Sequence, residues 1–228
     1  MRYLKDFFSL LYPALCATCD TALLQSETVV CTLCRHDLPV LPYTSYTNNH
    51  VAATFYGKAP VQMAVSFLAF HNAGKTKELI HRLKYKGQQE IGAFLGDWMG
   101  SVLQQSGKFK NIDVIVPVPL HAKKFRKRGY NQLTTFGKKL SEQLDVPYND
   151  TLLVRTSSTH TQTLQQRFER FNNVNTKFSL TNTQLLKNQH ILLIDDVITT
   201  GATMEACCLE LLKTPNTTVS VVSMAFVV

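Results

Sequence analysis

Residues Ile191 to Thr203 read ILLIDDVITTGAT, and this stretch decides the fold. Ile191 to Ile194 form a short, unbroken apolar run, the pattern of a strand buried on both faces of a parallel sheet. Asp195 and Asp196 follow, then Thr199, Thr200 and Gly201, then Ala202 and Thr203, and then a segment from Met204 to Leu212 that can be helical. A strand, a tight turn and a helix start therefore follow one another directly.

That order of residues suits a sugar phosphate. Unpaired backbone N–H groups at a helix N-terminus carry positive partial charge and bind a phosphate without needing Lys or Arg. Gly201 lets the backbone approach closely, and the threonine hydroxyls add donors to the same oxygens. Adjacent carboxylates can accept hydrogen bonds from the neighbouring hydroxyls of a ribose. Successive strand side chains point to opposite faces, so both aspartates reach one ligand only if the strand is ending there. A buried strand and a capped helix with two solvated acids is the bland alternative.

The chain of 228 residues is long enough for one substantial α/β domain and a small appendage. Its hydrophobic content, 45%, is ordinary for a globular protein, and no apolar run reaches the length of a bilayer span. The first residues, MRYLKDFFSLLYPAL, are interrupted by Lys5 and Asp6 and read as a short amphipathic helix ending near Pro13 rather than a signal peptide. The net charge of +8 is concentrated: residues 75–128 hold twelve of the 24 Lys and Arg but only four of the 16 acids. Such a segment suits polyanions, the phosphates of a small ligand or of nucleic acid, against the alternative of a merely solvated face.

Cys16 and Cys19 form one CxxC and, after eleven intervening residues, Cys31 and Cys34 a second. Two such pairs bring four thiolates onto a tetrahedral metal, and Zn²⁺ is the usual occupant. The closed site predicts a structural role or a docking surface; disulfides are the competing reading, disfavoured by the lack of a secretion signal and by a cytosol that keeps thiols reduced. Cys207 and Cys208 read as core packing. Residues 1–44 are thus expected to form the small metal knuckle and residues 45–228 the α/β domain.

Along that domain, VAATFYG from Val51 and AVSFLAF from Ala64 read as two strands, and Gly74 to Leu83 as a helix. LKYKG, Leu83 to Gly87, is expected to be extended, with Lys84 and Lys86 on one face. A packing helix from Gln88 to Gln105 precedes a second buried strand, IDVIVPV, at Ile112 to Val118. Pro119, Leu120 and His121 then lead into a cationic loop with Lys123, Lys124, Arg126 and Arg128, placed to hold a pyrophosphate or grip a nucleic-acid backbone. His121 itself reads as a loop histidine. A helix from Gln132 to Leu144 tolerates Gly137, and Val146 to Val154 leads toward another strand. The polar run from Arg155 to Asn172, with Thr161, Gln162 and Arg167, is a candidate loop closing over a substrate, or an ordinary surface loop. Thr218 to Val228 supplies a last strand.

The stretch at Ile191 resembles the phosphoribosyl-pyrophosphate motif of type I phosphoribosyltransferases. The whole chain resembles the ComF/GntX family, on the paired CxxC motifs, LKYKG, VPVPLH with RKRGYNQ, the run from Arg155, and IDDVITTGAT. The resemblance implies an open, mostly parallel twisted sheet flanked by helices, with the ligand at the carboxyl ends of the strands. It assigns Asp195 and Asp196 to the ribose hydroxyls, Thr199 to Thr203 to the 5-phosphate, Val118 to His121 to the pyrophosphate side, and Mg²⁺ as a bridge between pyrophosphate and ribose. It also implies natural transformation: action in the cytosol on or beside incoming single-stranded DNA, with a DNA-import helicase or recombination proteins as partners. Transfer to an unnamed acceptor in nucleotide or other metabolism, and a non-catalytic adaptor, are the competing roles.

Overall fold

The computed structural model describes residues 12–156 and 177–228, so the expected N-terminal helix and Thr161, Gln162 and Arg167 lie outside the described residues. In chain order the strands are β1 (Ala64–Phe70), β2 (Val114–Pro117), β3 (Leu153–Thr156), β4 (Lys177–Leu180), β5 (His190–Ile198) and β6 (Thr218–Val227). Four of them form a parallel sheet in the order β1-β6-β5-β2, while β3 and β4 pair antiparallel beside it. The apolar run at Ile191 is at the centre, as its composition requires: β5 pairs with β2 on one side and β6 on the other, and Ile191 to Ile194 are fully buried. Buried polar groups in this layer are satisfied locally, Ser66 and Ser223 through their hydroxyls and Ser223 also by donating to the Ala225 carbonyl at 2.9 Å.

Around the sheet lie α1 (Thr32–His36), α2 (His50–Ala53), α3 (Lys75–Tyr85), α4 (Glu90–Ser106), α5 (Ala122–Arg128), α6 (Leu133–Leu144) and α7 (Ala202–Leu211). Gly92, Gly96 and Gly100 share one face of α4, where α6 crosses. A Cβ at Gly96 would stand 2.5 Å from the Phe136 carbonyl oxygen, so the two helices pack backbone to backbone. Gly137 on α6 faces Tyr148 and Ile194, where a Cβ would meet the tyrosine ring at 2.3 Å. The glycine inside α6 is therefore what seats that helix against the centre of the sheet.

Three local expectations give way. Val51 to Gly57 is not a strand: Asn49 caps Val51 and Ala52 through its side-chain oxygen (2.9 and 3.0 Å) and starts α2. The cationic stretch after His121 is helix α5, not a loop, capped by the His121 ring accepting from the Lys123 amide (3.1 Å) and ended by Gly129 at φ 77°. LKYKG is not extended; Leu83 to Tyr85 close the last turn of α3. Elsewhere the expected helices and strands appear within a few residues of their expected bounds.

Tyr148 bridges Ile115 in parallel on the outer side of β2. The chain therefore leaves β2 toward one edge of the sheet and leaves β5 toward the other, through α7 to β6. A crevice outside the carboxyl ends of the strands opens where such connections diverge, here between β2 and β5.

Candidate functional site

Two strand ends line that crevice. On the β2 side the Val118 amide donates to the Ile194 carbonyl at 2.9 Å, and Pro119, Leu120 and His121 follow, half-buried. On the β5 side the strand runs on to Ile198, so Asp195 and Asp196 lie within it and not past its end. The two acids accordingly face opposite sides of the strand.

Their surroundings differ as that geometry demands. Asp196 is 7% exposed and both its oxygens are taken: Lys84 Nζ donates to Oδ1 at 2.7 Å and Gln132 Nε2 to Oδ2 at 2.6 Å. Arg128 holds Gln132 in turn, donating to its Oε1 at 2.7 Å while stacking over the Tyr85 ring at 5.1 Å. Tyr130 donates its hydroxyl to the Leu83 carbonyl. One network thus joins LKYKG, RKRGYNQ and the acid pair. Asp195 accepts from the Asp196 amide through Oδ1 at 2.8 Å, and among the described residues its other oxygen has no hydrogen-bond partner. Burial, reinforced by the charge of Asp196, pushes the Asp195 carboxyl up to about 8, with Lys84 and Lys124 pulling the other way.

The turn after β5 is built for a close approach. Gly201 sits at φ 77°, and a Cβ there would meet Thr54 at 2.7 Å, so residues 199–201 rest on the end of α2. Thr199, Thr200, Ala202 and Thr203 are exposed. α7 begins at Gly201 without a side-chain cap, and its first intrahelical bond runs from the Glu205 amide to the Gly201 carbonyl at 2.8 Å. The amides of Ala202, Thr203 and Met204 are left as open donors at a positive helix end.

The charged residues divide. Lys84 and Arg128 are spent inside the crevice network. Lys123, Lys124, Arg126 and Lys127 are exposed on α5, none of whose residues is buried, with Phe125 49% exposed among them. Lys86 is exposed just past the end of α3, 3.9 Å from Glu78. Arg155 lies on β3, over the Phe178 ring at 5.8 Å. Sequence reasoning missed Gln132 and Tyr130 as individual side chains, although both stand in the GYNQ segment.

Cys16, Cys19, Cys31 and Cys34 place their sulfurs within 4.8 Å of one another. A tetrahedral ion with metal–sulfur bonds of about 2.3 Å needs sulfurs roughly 3.8 Å apart, and Cys19 and Cys31 stand at 3.8 Å. The Cys34 amide draws the Cys31 thiol down, but burial and the neighbouring thiols prevail and push it up to about 12, a cost that a cation among them would remove. Cys207 and Cys208 are buried in α7, as expected of core residues. Among the described residues, no helix is long and apolar enough to cross a membrane.

Several known proteins are similar to this chain. "Competence protein F" of Haemophilus influenzae is 32% identical over 133 residues, covering 55% of this chain and 57% of that protein. "DNA utilization protein YhgH" of Shigella flexneri is 27% identical over 221 residues, 92% of this chain and 95% of the relative. The chain thus spans little more than half the length of the first relative and nearly all of the second. Among solved structures, the glutamine phosphoribosylpyrophosphate amidotransferase from B. subtilis aligns at 18% identity over 63% of this chain and 30% of that one, with a TM-score of 0.43. Residues 84–227, from the lysine that binds Asp196 to the end of β6, match the phosphoribosyl transferase domain, and the chain belongs to that family.

Proposed function

We propose that the crevice binds phosphoribosyl pyrophosphate and that the protein acts in the cytosol in the use of incoming single-stranded DNA. One observation carries the ligand reading: an acid three residues inside the end of β5 and an uncapped helix N-terminus lie on the two sides of one turn, at the point where the strand connections diverge. The open amides of Ala202, Thr203 and Met204, with the hydroxyls of Thr199, Thr200 and Thr203, take the 5-phosphate. Asp195 accepts from a ribose hydroxyl, while Asp196, gripped by Lys84 and Gln132, holds the crevice floor in place. Pro119 and Leu120 border the pyrophosphate, with Lys124 supplying positive charge; its field already reaches Asp195.

Mg²⁺ suits this arrangement: it would displace the proton that the raised Asp195 carboxyl holds and meet an oxygen that has no hydrogen-bond partner among the described residues, whereas both oxygens of Asp196 are engaged. Held there by Asp195, such an ion would supply charge neutralisation at the pyrophosphate. Were an acceptor to attack the anomeric carbon, this chain's own part would be electrostatic: anion donors at the phosphates and a carboxylate beside the ribose. Zn²⁺ fits the four cysteines as a closed, structural site.

Saturable binding of labelled phosphoribosyl pyrophosphate, competed by ribose 5-phosphate, tests the ligand reading; a flat isotherm at millimolar ligand overturns it. The names of the relatives, competence and DNA utilization, support the DNA context. A contact through the four exposed cations of α5 gives a log–log salt slope of about −3 for a single-stranded oligonucleotide. Replacing Lys123, Lys124, Arg126 and Lys127 with alanine flattens that slope. A slope near zero in the unaltered protein removes the DNA contact and leaves an adaptor or a metabolic transferase.

A further inference from the structure

The last turn of α3 is fastened at both ends of its charge pattern. Arg82, 7% exposed, donates through its two terminal nitrogens to both oxygens of Asp20, at 2.9 and 2.7 Å, and through Nε to Glu78 at 2.6 Å. Asp20 follows Cys19 directly and belongs to the cysteine knuckle: its amide donates to the Cys16 carbonyl at 3.1 Å, and its backbone is left-handed, φ 58°. Two residues past Arg82, Lys84 grips Asp196 at 2.7 Å; between them, the Leu83 carbonyl accepts from Tyr130. Residues 82–84 thus join the cysteine cluster to the acid pair, through an ion pair at each end.

This link is directional. A bidentate guanidinium–carboxylate pair fixes orientation as well as distance, which a lone ammonium does not. Rotating the last turn of α3 by the freedom that Arg82 would gain without Asp20 carries Lys84 away from Asp196, and the acid then loses its only cation among the described residues. Order in the knuckle, in turn, depends on what the four sulfurs hold.

We propose that Arg82 is a positioning residue for the crevice: by clamping Asp20 of the cysteine knuckle it fixes Lys84 on Asp196, so that metal occupancy of the knuckle sets ligand affinity at the acid pair. The affinity part of this proposal rests on the phosphoribosyl pyrophosphate reading; the mechanical part does not.

Asp20→Asn isolates the charge, because asparagine tolerates the left-handed backbone. Zinc content, calorimetric affinity for phosphoribosyl pyrophosphate with Mg²⁺, and hydrogen exchange are read on the full chain. The variant is expected to keep its zinc but bind the ligand ~10-fold more weakly, the usual cost of losing an outer-shell orienting partner. Amides of residues 83–86 and 195–197 exchange faster, and Arg82→Lys, which keeps charge without the fork, behaves alike. Stripping zinc from the unaltered protein reproduces the shift, and stripping it from Asp20→Asn adds little. Unchanged affinity and exchange in Asp20→Asn overturn the proposal, as does a full additional loss on stripping that variant. If the unaltered protein binds no ligand, the functional reading fails alone, and the exchange data still decide the coupling.

Discussion

Lys84→Met tests the crevice network directly. Lys84 and Asp196 are far apart in sequence but pair at 2.7 Å, with side chains only 20% and 10% exposed. Methionine keeps the length of the side chain and removes the ammonium, leaving Asp196 charged and nearly enclosed. Removing one partner of a fully buried pair costs about 3–5 kcal/mol. Here the lysine is partly open to water and Gln132 still donates to Oδ2 at 2.6 Å, so the loss should be about 2 kcal/mol, or roughly 4–8 °C in melting temperature for a chain of this size. Asp196→Asn should lose a similar amount. The double variant should cost less than the two singles together, with a coupling of ~1–2 kcal/mol. Urea denaturation at pH 7 and moderate salt, with an unchanged m-value, measures all corners of the cycle. Strict additivity would show that the pair does not form in solution and would remove the anchored role given to Asp196.

Two other outcomes follow from the same structure. Gly96→Ala should destabilise by about 1–3 kcal/mol, because its methyl would meet the Phe136 backbone at 2.5 Å and α4 must move off α6; a melting curve matching the unaltered protein would contradict that crossing. The Asp195 carboxyl is raised from 3.8 to about 8, so between those values the native state binds the extra proton and stability falls as pH rises. Asp195→Asn should flatten that decline in denaturation midpoints from pH 5 to pH 8.5, and an unaltered slope would place the carboxyl in ordinary solvent.

The centre of the fold was legible because local chemistry decided it. An unbroken apolar run has only a doubly covered strand to go to, and the alternating order of strands and helices leaves few topologies. The cysteine cluster was legible for a similar reason, since its spacing is itself the geometry. Val51 to Gly57 misled because a short apolar run does not distinguish strand from helix, and the deciding residue, Asn49, lies outside it. Lys123 to Arg128 looked like a loop because nothing in it is buried; the helix is written in its ends, His121 and Gly129. The divergence of Asp195 from Asp196 depended on where β5 stops, a boundary set by its pairing with β6 as far as Ile198. The partners of Asp196, and Asp20 as partner of Arg82, come from elements distant in the chain, so no local pattern announces them.

On the proposed reading, Asp195, inside β5, and the uncapped start of α7 together hold a phosphorylated pentose. Calorimetric titration with phosphoribosyl pyrophosphate and Mg²⁺, repeated on Asp195→Asn, tests it most directly. A saturable isotherm is expected, weakened ~10–100-fold in the variant by the loss of a charge-assisted hydrogen bond to the ribose. Equal affinity in both proteins, or no heat of binding in either, would contradict it.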